Sequence, residues 1–274
     1  MKQEGGKKDD APRTAEVIAE SVLSSSMRKH IPGSLAKRLA KQELDKGRSL
    51  REAEKQIKGR LHQVVLSFEP GPKALSSLSS RLDAAGHDRA LLKEAARAGL
   101  ALHSSTKERL PYMEELFSFV FGKRGFSSVI DLACGLNPLA FPWMGLSKDA
   151  VYDAVDVSDL CGSAVRSFFD GWGIRGSFTQ ADLAEGLPKG GHDVALLMKA
   201  LPTLDRIEQG LGYRCVKDVD AGHVAVSFPT ASLGGRRKGM ESFYGDSFEE
   251  FVRASGWTYE KRVFLGELVF LVRK

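Results

Sequence analysis

The sequence predicts an α/β fold: a seven-stranded, mostly parallel sheet that ends in an antiparallel hairpin and follows an all-α N-terminal domain. Three observations lead there. Apolar runs of strand length end in an acid or a small-residue turn, as in Val129-Ile-Asp131-Leu-Ala-Cys-Gly135 and Val151-Tyr-Asp-Ala-Val155-Asp156, the pattern of buried parallel strands. Segments of helical periodicity alternate with such runs through the second half of the chain. The last two runs, over 257–264 and 267–272, are separated only by Leu265-Gly266, a connection that joins antiparallel neighbours.

The elements follow in order. Residues 1–12 are polar and rich in Gly, Lys and Asp, the composition of a disordered tail. Over 13–102 the pattern is helical. Leu50, Ala53, Ile57, Leu61, Val64 and Val65 recur at three- and four-residue steps, while Arg51, Lys55 and Lys58 keep the same period on another face, so one helix buries an apolar stripe and shows a basic one. Further helices are expected near 15–25, 33–46, 73–85 and 88–100, broken at Pro32-Gly33, Gly47-Arg48-Ser49 and Pro70-Gly-Pro72. The second domain, 103–274, opens with a capping box of Ser105 and Glu108 that should start a helix running through Phe117 and Phe121. Strands are then expected at 129, 151–156, 174–180, 192–198 and 222–228 before the hairpin, with helices near 159–170, 204–219 and 247–255. A mostly parallel sheet closed by a terminal hairpin is the arrangement of the class I methyltransferase (Rossmann-like) fold.

At 274 residues the chain has ample material for a core. Its three cysteines, Cys134, Cys161 and Cys215, form no C-x-x-C pair, so neither a disulfide framework nor a zinc site is encoded and a reducing compartment is expected. The histidines have no partners at metal-ligand spacing, and no metal is expected. The chain shows neither a signal-peptide pattern nor a run of 18 apolar residues, which predicts a cytoplasmic protein without a membrane partner. The formal charge of +5 is unevenly placed. Between Met27 and Arg60 eleven Lys and Arg face four acids. That local excess of seven leaves −2 for the rest of the chain, and basicity confined to one module suits docking on a polyanion.

In open α/β sheets the ligand lies beyond the carboxyl ends of the strands. The rule nominates the turn at Gly135, Asp156, Asp182-Leu183, Lys199 to Pro202, and the chain after Phe228. The first turn holds Ala133, Gly135 and Asn137 in place of three glycines, which argues against a pyrophosphate pressed on bare backbone. Asp156, 25 residues beyond Asp131, stands where a ribose-diol acceptor is expected. A ribose acceptor without a phosphate turn points to S-adenosylmethionine rather than NAD. Asp182 would accept from the exocyclic amine of its adenine. The loop Ser227 to Tyr244 sets Arg236, Arg237 and Lys238 among glycines beside Met240, Phe243 and Tyr244, a composition for gripping a backbone phosphate and packing on a base.

With these residues in view, the chain resembles the aminoglycoside-resistance 16S rRNA methyltransferases that modify N7 of a guanine in the ribosomal decoding site. The resemblance is carried by Leu61-His62-Gln63, His103-Ser-Ser-Thr-Lys-Glu-Arg109-Leu, Asp131-Leu-Ala-Cys-Gly-Leu-Asn-Pro-Leu139, Leu201-Pro-Thr-Leu with Arg206 and Gln209, and Ser227-Phe-Pro-x-x-Ser-Leu-Gly-Gly-Arg-x-Lys-Gly-Met-Glu241. It implies that the helical domain docks on 16S rRNA in the assembled 30S subunit, through Arg28, Lys29, Lys37, Arg38, Arg51, Lys55 and Lys58, with Arg237 and Lys238 adding contacts. The implied cofactor shell is His103, Ser104, Ser105, Arg109, Gly135, Asp156, Asp182, Leu183, Leu201 and Gln209, with Arg109 on the methionine carboxylate and Phe68 where the family has an aromatic, often Tyr. Where relatives show Lys-Leu-Leu-Pro, this chain has Lys199-Ala200-Leu201-Pro202.

Guanine N7 has a lone pair and no proton, so the chemistry asks for extrusion and alignment of the base rather than a catalytic base. Lys199, Arg206, Arg236, Lys238 and Met240 are expected to position the nucleotide, Glu267 is expected either to contact it or to order the hairpin, and the protein is expected to act as a monomer. Two rivals remain at this level. An adenine-N1 rRNA methyltransferase would show two aromatic plates in place of the Gly-Arg-Lys run. A non-catalytic rRNA-binding or assembly factor would not need the series Asp131, Gly135, Asp156 and Asp182.

Overall fold

The computed structural model describes residues 10–23, 27, 30–66, 68–122, 124–230 and 240–274. Helices α1 (Asp10–Val22), α2 (Gly33–Asp45) and α3 (Leu50–Leu61) come first. Ser49 caps α3: its hydroxyl accepts from the Glu52 N–H and its own N–H donates to Glu52 Oε2 at 3.1 Å, so two orphan donors of the first turn are satisfied together. Ala53, Ile57 and Leu61 are buried while Arg51, Lys55 and Lys58 stay exposed, the two-faced helix that the periodicity predicts. A π-helical turn, His62–Leu66, prolongs α3. Residues 10–12, expected to belong to the tail, open α1, which starts at Asp10; residues 1–9 lie outside the described residues.

Helices α4 (Pro72–Ala85) and α5 (Arg89–Leu100) follow. Leu78, Leu82, Leu92 and Leu100 share one apolar cluster with Val129, Tyr152 and Phe168, so α4 and α5 pack against one face of the sheet. The long helix expected after Ser105 is two, α6 (Ser104–Arg109) and α7 (Met113–Val120), because Pro111 cannot continue the hydrogen-bond ladder. The expected capping box is absent as well. His103 is the N-cap, Ser105 lies inside the first turn, and Glu108 pairs with Lys199.

The sheet comprises β1 (Ser128–Leu132), β2 (Val151–Asp156), β3 (Phe178–Gln180), β4 (His192–Met198), β5 (Ala221–Pro229), β6 (Thr258–Phe264) and β7 (Glu267–Arg273), in the order β3-β2-β1-β4-β5-β7-β6. All pairs are parallel except β5 with β7 and β7 with β6. This is the seven-stranded sheet with an antiparallel hairpin that the sequence predicts, with β3 shorter than expected. The remaining helices are α8 (Asp159–Trp172), α9 (Leu201–Ile207), α10 (Leu211–Asp218) and α11 (Met240–Ala254). The single helix expected over 204–219 is broken by Gly210, whose φ of 77° lies in the left-handed region.

Alternate residues of each strand feed the two faces. Ile130, Leu132, Ala195 and Leu197 join the cluster that holds α1 to α3, whereas Val129, Val194 and Leu196 join the cluster of α4, α5, α7 and α8. Strand order reverses between β1 and β4, and a doubly wound sheet opens a crevice at the carboxyl ends of those two strands. Among the described residues no helix is long and apolar enough to cross a membrane.

Candidate active site

A cavity of about 600 Å³ opens at that crevice, within the range usual for small-molecule sites. Its floor is the turn after β1. Ala133 and Gly135 take φ values of 54° and 50°, and a Cβ on Gly135 would stand 3.1 Å from His103 Nε2, so both conformation and space favour glycine there. The turn aims the Gly135 N–H at Asp156 Oδ2, 2.8 Å away, while Asp156 Oδ1 accepts from the Ser158 N–H at 2.9 Å. Each carboxylate oxygen thus takes one backbone N–H and keeps lone-pair capacity for a ligand diol. Burial raises the Asp156 pKa, and the N–H groups restrain the shift.

Beneath the turn, Asp131 Oδ2 accepts from Asn137 Nδ2 and from the Tyr152 hydroxyl, both at 2.8 Å. Its buried Oδ1 has no partner among the described residues, and burial pushes its pKa up to about 7. Asn137 opens a short 3-10 helix, Asn137–Trp143, and its Oδ1 accepts from Arg109 Nη1 at 2.8 Å.

The wall facing Asp156 is the start of α6. Burial, with Arg109 adding, lowers the His103 imidazole to about 4, so it is neutral at physiological pH; its Nδ1 lies 2.9 Å from Ser105 Oγ. Ser104 Oγ is buried and has no partner among the described residues, an unmet polar group on the cavity wall. Arg109 is 2 % exposed and holds Glu267 at two points, Nε to Oε2 at 3.1 Å and Nη2 to Oε1 at 2.6 Å. Burial alone would raise Glu267, but Arg109 and then Lys199 hold it below the usual range. Lys199, after β4, has a left-handed φ of 57°; its N–H donates to Ser227 Oγ at 2.9 Å and its ammonium to Glu108 Oε2 at 2.7 Å.

The cavity brings together Phe68, His103, Ser104, Ser105, Arg109, Gly135, Asp156, Asp182, Leu183, Lys199 and Arg206. Other expectations are corrected. Leu201 is 1 % exposed and packs against Gly212, beneath the wall rather than on it. Gln209 is exposed and outside the lining, because Gly210 turns the chain away there. Of the two roles expected for Glu267, its full burial under the cavity and its pairing with Arg109 fit ordering of the hairpin. Arg38 is no surface cation: its Nε donates to Asp182 Oδ2 and its Nη1 to Glu208 Oε2, both at 2.8 Å. Lys37, Arg51, Lys55 and Lys58 are exposed, although Lys37 pairs with Glu16 and Lys58 with Glu54. Arg28, Lys29, Arg236, Arg237 and Lys238 lie outside the described residues, and Met240 opens α11 with its side chain undescribed.

Sequence reasoning missed Glu69. This carboxyl lines the cavity, hydrogen-bonds His30 and the Ser158 hydroxyl, and has its pKa raised by burial. Nothing in its neighbourhood along the chain signals partners 39 and 89 residues away. Val64, Val65, Thr203 and Tyr244 also border the cavity. No group of three or more metal-ligating side chains occurs among the described residues.

These features fit S-adenosylmethionine: a carboxylate placed for a ribose diol, an aromatic at Phe68, the buried hydroxyl of Ser104, and a neutral His103 that adds no repulsion toward a sulfonium. Comparisons with known proteins agree. The family model of the FmrO ribosomal RNA methyltransferases matches residues 24–271. The 16S rRNA (guanine(1405)-N(7))-methyltransferase of Micromonospora echinospora is 33 % identical over 263 residues, covering 94 % of this chain and 96 % of the relative. The enzyme of the same name from Frankia casuarinae is 34 % identical, covering 94 % and 93 %. The crystal structure of the 16S rRNA methyltransferase RmtF in complex with S-adenosyl-L-homocysteine superposes with a TM-score of 0.80 at 30 % identity, over 95 % of this chain and 98 % of RmtF. Because likeness of this extent takes in the helices before the sheet as well as the cofactor crevice, the chain belongs to the FmrO family of ribosomal RNA methyltransferases.

Proposed function

We propose that this chain transfers a methyl group from S-adenosylmethionine to N7 of a decoding-site guanine in 16S rRNA, acting as a cytoplasmic monomer on the assembled 30S subunit. The observation that carries the reading is one cavity that joins the Asp156 cradle to a wall made by the prolongation of α3, a helix whose outer face shows Arg51, Lys55 and Lys58. The names of the two curated relatives, each aligned over 94 % of the chain, support the substrate and the atom.

When bound, S-adenosylmethionine supplies a methyl on a sulfonium, an electrophile that needs no further activation. Asp156 would hold the ribose hydroxyls and Asp182 the adenine amine. Ser104 and the spare N–H groups of Arg109 would take the amino-acid end. Guanine N7 gives its lone pair to the methyl carbon as the carbon–sulfur bond breaks, and the positive charge passes to the base without proton transfer. No general base is required, consistent with a His103 that is buried and neutral. The protein's work is orientation, which supplies on the order of 7–11 kcal/mol when reacting atoms are held aligned. Lys199 and Arg206 border the cavity and are suited to donate to the O6 acceptor beside N7.

Methylation there alters the guanine edge that aminoglycosides contact, so resistance is the expected phenotype. The test is to map 16S rRNA from cells expressing the wild type or Asp156→Ala by borohydride–aniline cleavage and primer extension. One new stop at a decoding-site guanine, absent with the variant, is expected. Unmodified rRNA in cells making folded wild-type protein would overturn the proposal.

A further inference from the structure

We infer that Arg38, on the N-terminal module, is a positioning residue for the cofactor: it fixes the carboxylate of Asp182, 144 residues away, at the adenine end of the cavity. The inference rests on Asp182 as acceptor for the adenine amine and assigns the helical module a part in cofactor recognition.

Charge composition places Arg38 in the basic segment, but its surroundings are those of an internal clamp. Leu35, Ala36, Leu39 and Ala40 around it on α2 are fully buried. The guanidinium side chain is 18 % exposed and the Asp182 side chain 2 %. Nε makes the straight hydrogen bond to Asp182 Oδ2 at 2.8 Å; Nη2 lies equally close to that oxygen but off the line of its N–H. The other carboxylate oxygen, Oδ1, accepts from the Ala184 N–H at 3.1 Å. Asp182 is therefore oriented from both sides, by the chain after β3 and by a helix from the other module. Charge-assisted bonds of this kind hold a planar carboxylate in one rotation.

The clamp is itself braced. Nη1 of Arg38 donates to Glu208 Oε2 at 2.8 Å, and Arg214 donates to Glu208 Oε1 at 2.6 Å. One turn along α2, Gln42 lies 3.5 Å from the same Glu208 Oε2 and accepts from Arg60 of α3 at 3.2 Å. Arg60 in turn pairs with Glu43 at 2.6 Å. A chain of polar contacts thus runs from α3, through α2, to the cavity wall. An acceptor that meets a single ligand amine gives affinity only while its orientation is fixed before binding. With Arg38 removed, Asp182 keeps only the Ala184 N–H among these restraints.

The experiment measures binding of S-adenosylhomocysteine and of S-inosylhomocysteine, which lacks the 6-amino group, to the full chain by calorimetry. Wild type, Arg38→Ala and Arg38→Lys are compared, and 30S binding is followed across a salt series. The expected result is an affinity for S-adenosylhomocysteine weakened about tenfold in Arg38→Ala and less in Arg38→Lys, the scale of a lost charge-assisted contact. Affinity for the inosine analogue should stay within about twofold, because that ligand does not use the oriented acceptor. The 30S salt slope should stay unchanged, whereas a lost phosphate contact lowers it by about one.

Equal losses for both ligands would make Arg38 a general prop of the fold and overturn the inference. Unchanged cofactor binding with weaker, less salt-dependent 30S binding would make it a phosphate contact and overturn it too. Arg38→Lys keeps the charge, so the comparison stands even where the alanine variant is too unstable to purify. Failure of the Asp182 reading itself shows separately, as a wild type that binds the two ligands equally well.

Discussion

Arg109 and Glu267, 158 residues apart in sequence, form a buried two-point ion pair that ties α6 to the first residue of β7. Tyr112 and Ser227 add hydrogen bonds to the same carboxylate, and Lys199 lies 3.8 Å from it. Removing one partner of such a pair strands the other charge away from water, at a cost of about 3–5 kcal/mol. Glu267→Ala should lower urea-denaturation stability by about that much. A loss below about 1 kcal/mol would show that Asn137 and the nearby Asp131 suffice for Arg109.

His103 and Asp131 give stability opposite dependences on pH. His103 falls from 6.5 to about 4 in the fold, so its contribution is complete above pH 6.5 and is lost as pH drops toward 4. Asp131 rises from 3.8 to about 7, so its contribution is complete below 3.8 and is lost as pH climbs through 7. Each slope is limited to about 1.4 kcal/mol per pH unit, and between pH 4 and 6.5 the two oppose each other. Relative to wild type, His103→Gln should lose stability as pH rises through that window, and Asp131→Asn should lose it as pH falls. Parallel curves for both variants, from urea midpoints at half-unit steps, would refute the assignment.

Asp156→Ala removes the carboxylate that the turn after β1 presents. A hydrogen bond to a charged group contributes about 1.5–3 kcal/mol, so affinity for S-adenosylhomocysteine should fall about 10- to 100-fold in a folded protein. Gly135→Ala should weaken it as well, since the new methyl meets His103 Nε2 at 3.1 Å in a left-handed turn. Near-wild-type calorimetric affinity in both variants would place the cofactor elsewhere.

Charge reversal at Arg51, Lys55 and Lys58 tests the docking face without touching the cavity. The three side chains are exposed on α3, and none lines the cavity. The triple Glu variant should bind 30S subunits at least about tenfold more weakly at moderate salt, with a shallower salt dependence. Its affinity for S-adenosylhomocysteine should be unchanged. Undiminished 30S binding in a filter assay would remove this helix from the interface.

Most of the sheet was readable in the sequence, for a physical reason. Strands buried on both faces are apolar runs such as Val129–Leu132, and a two-residue connection at Leu265-Gly266 leaves only a hairpin. The turn at Gly135 with Asp156 was legible because the polar groups of such a site lie at strand ends. Arg38, Glu69 and Glu267 were misread, missed or left undecided for the opposite reason. A charge in a sequence names neither its partner nor its depth, and these partners lie 144, 39 and 158 residues away. Boundaries failed where one residue overrode a longer pattern: Pro111 split a periodic helix and Gly210 split another. Helices α4 and α5 have the same amphipathic signature as α1 to α3, so periodicity alone did not reveal which side of the sheet each pair covers.

The α3 extension and the turn that follows it set Val64, Val65, Phe68 and Glu69 against the cofactor crevice, a boundary drawn from outside the sheet. For drug design that is a handle on selectivity. Compounds that fill only the Gly135 and Asp156 end meet chemistry that host enzymes with the same donor also offer. An inhibitor that presses on Val64 and Phe68 would engage side chains that come from the chain ahead of the sheet and not from the sheet's own strand ends.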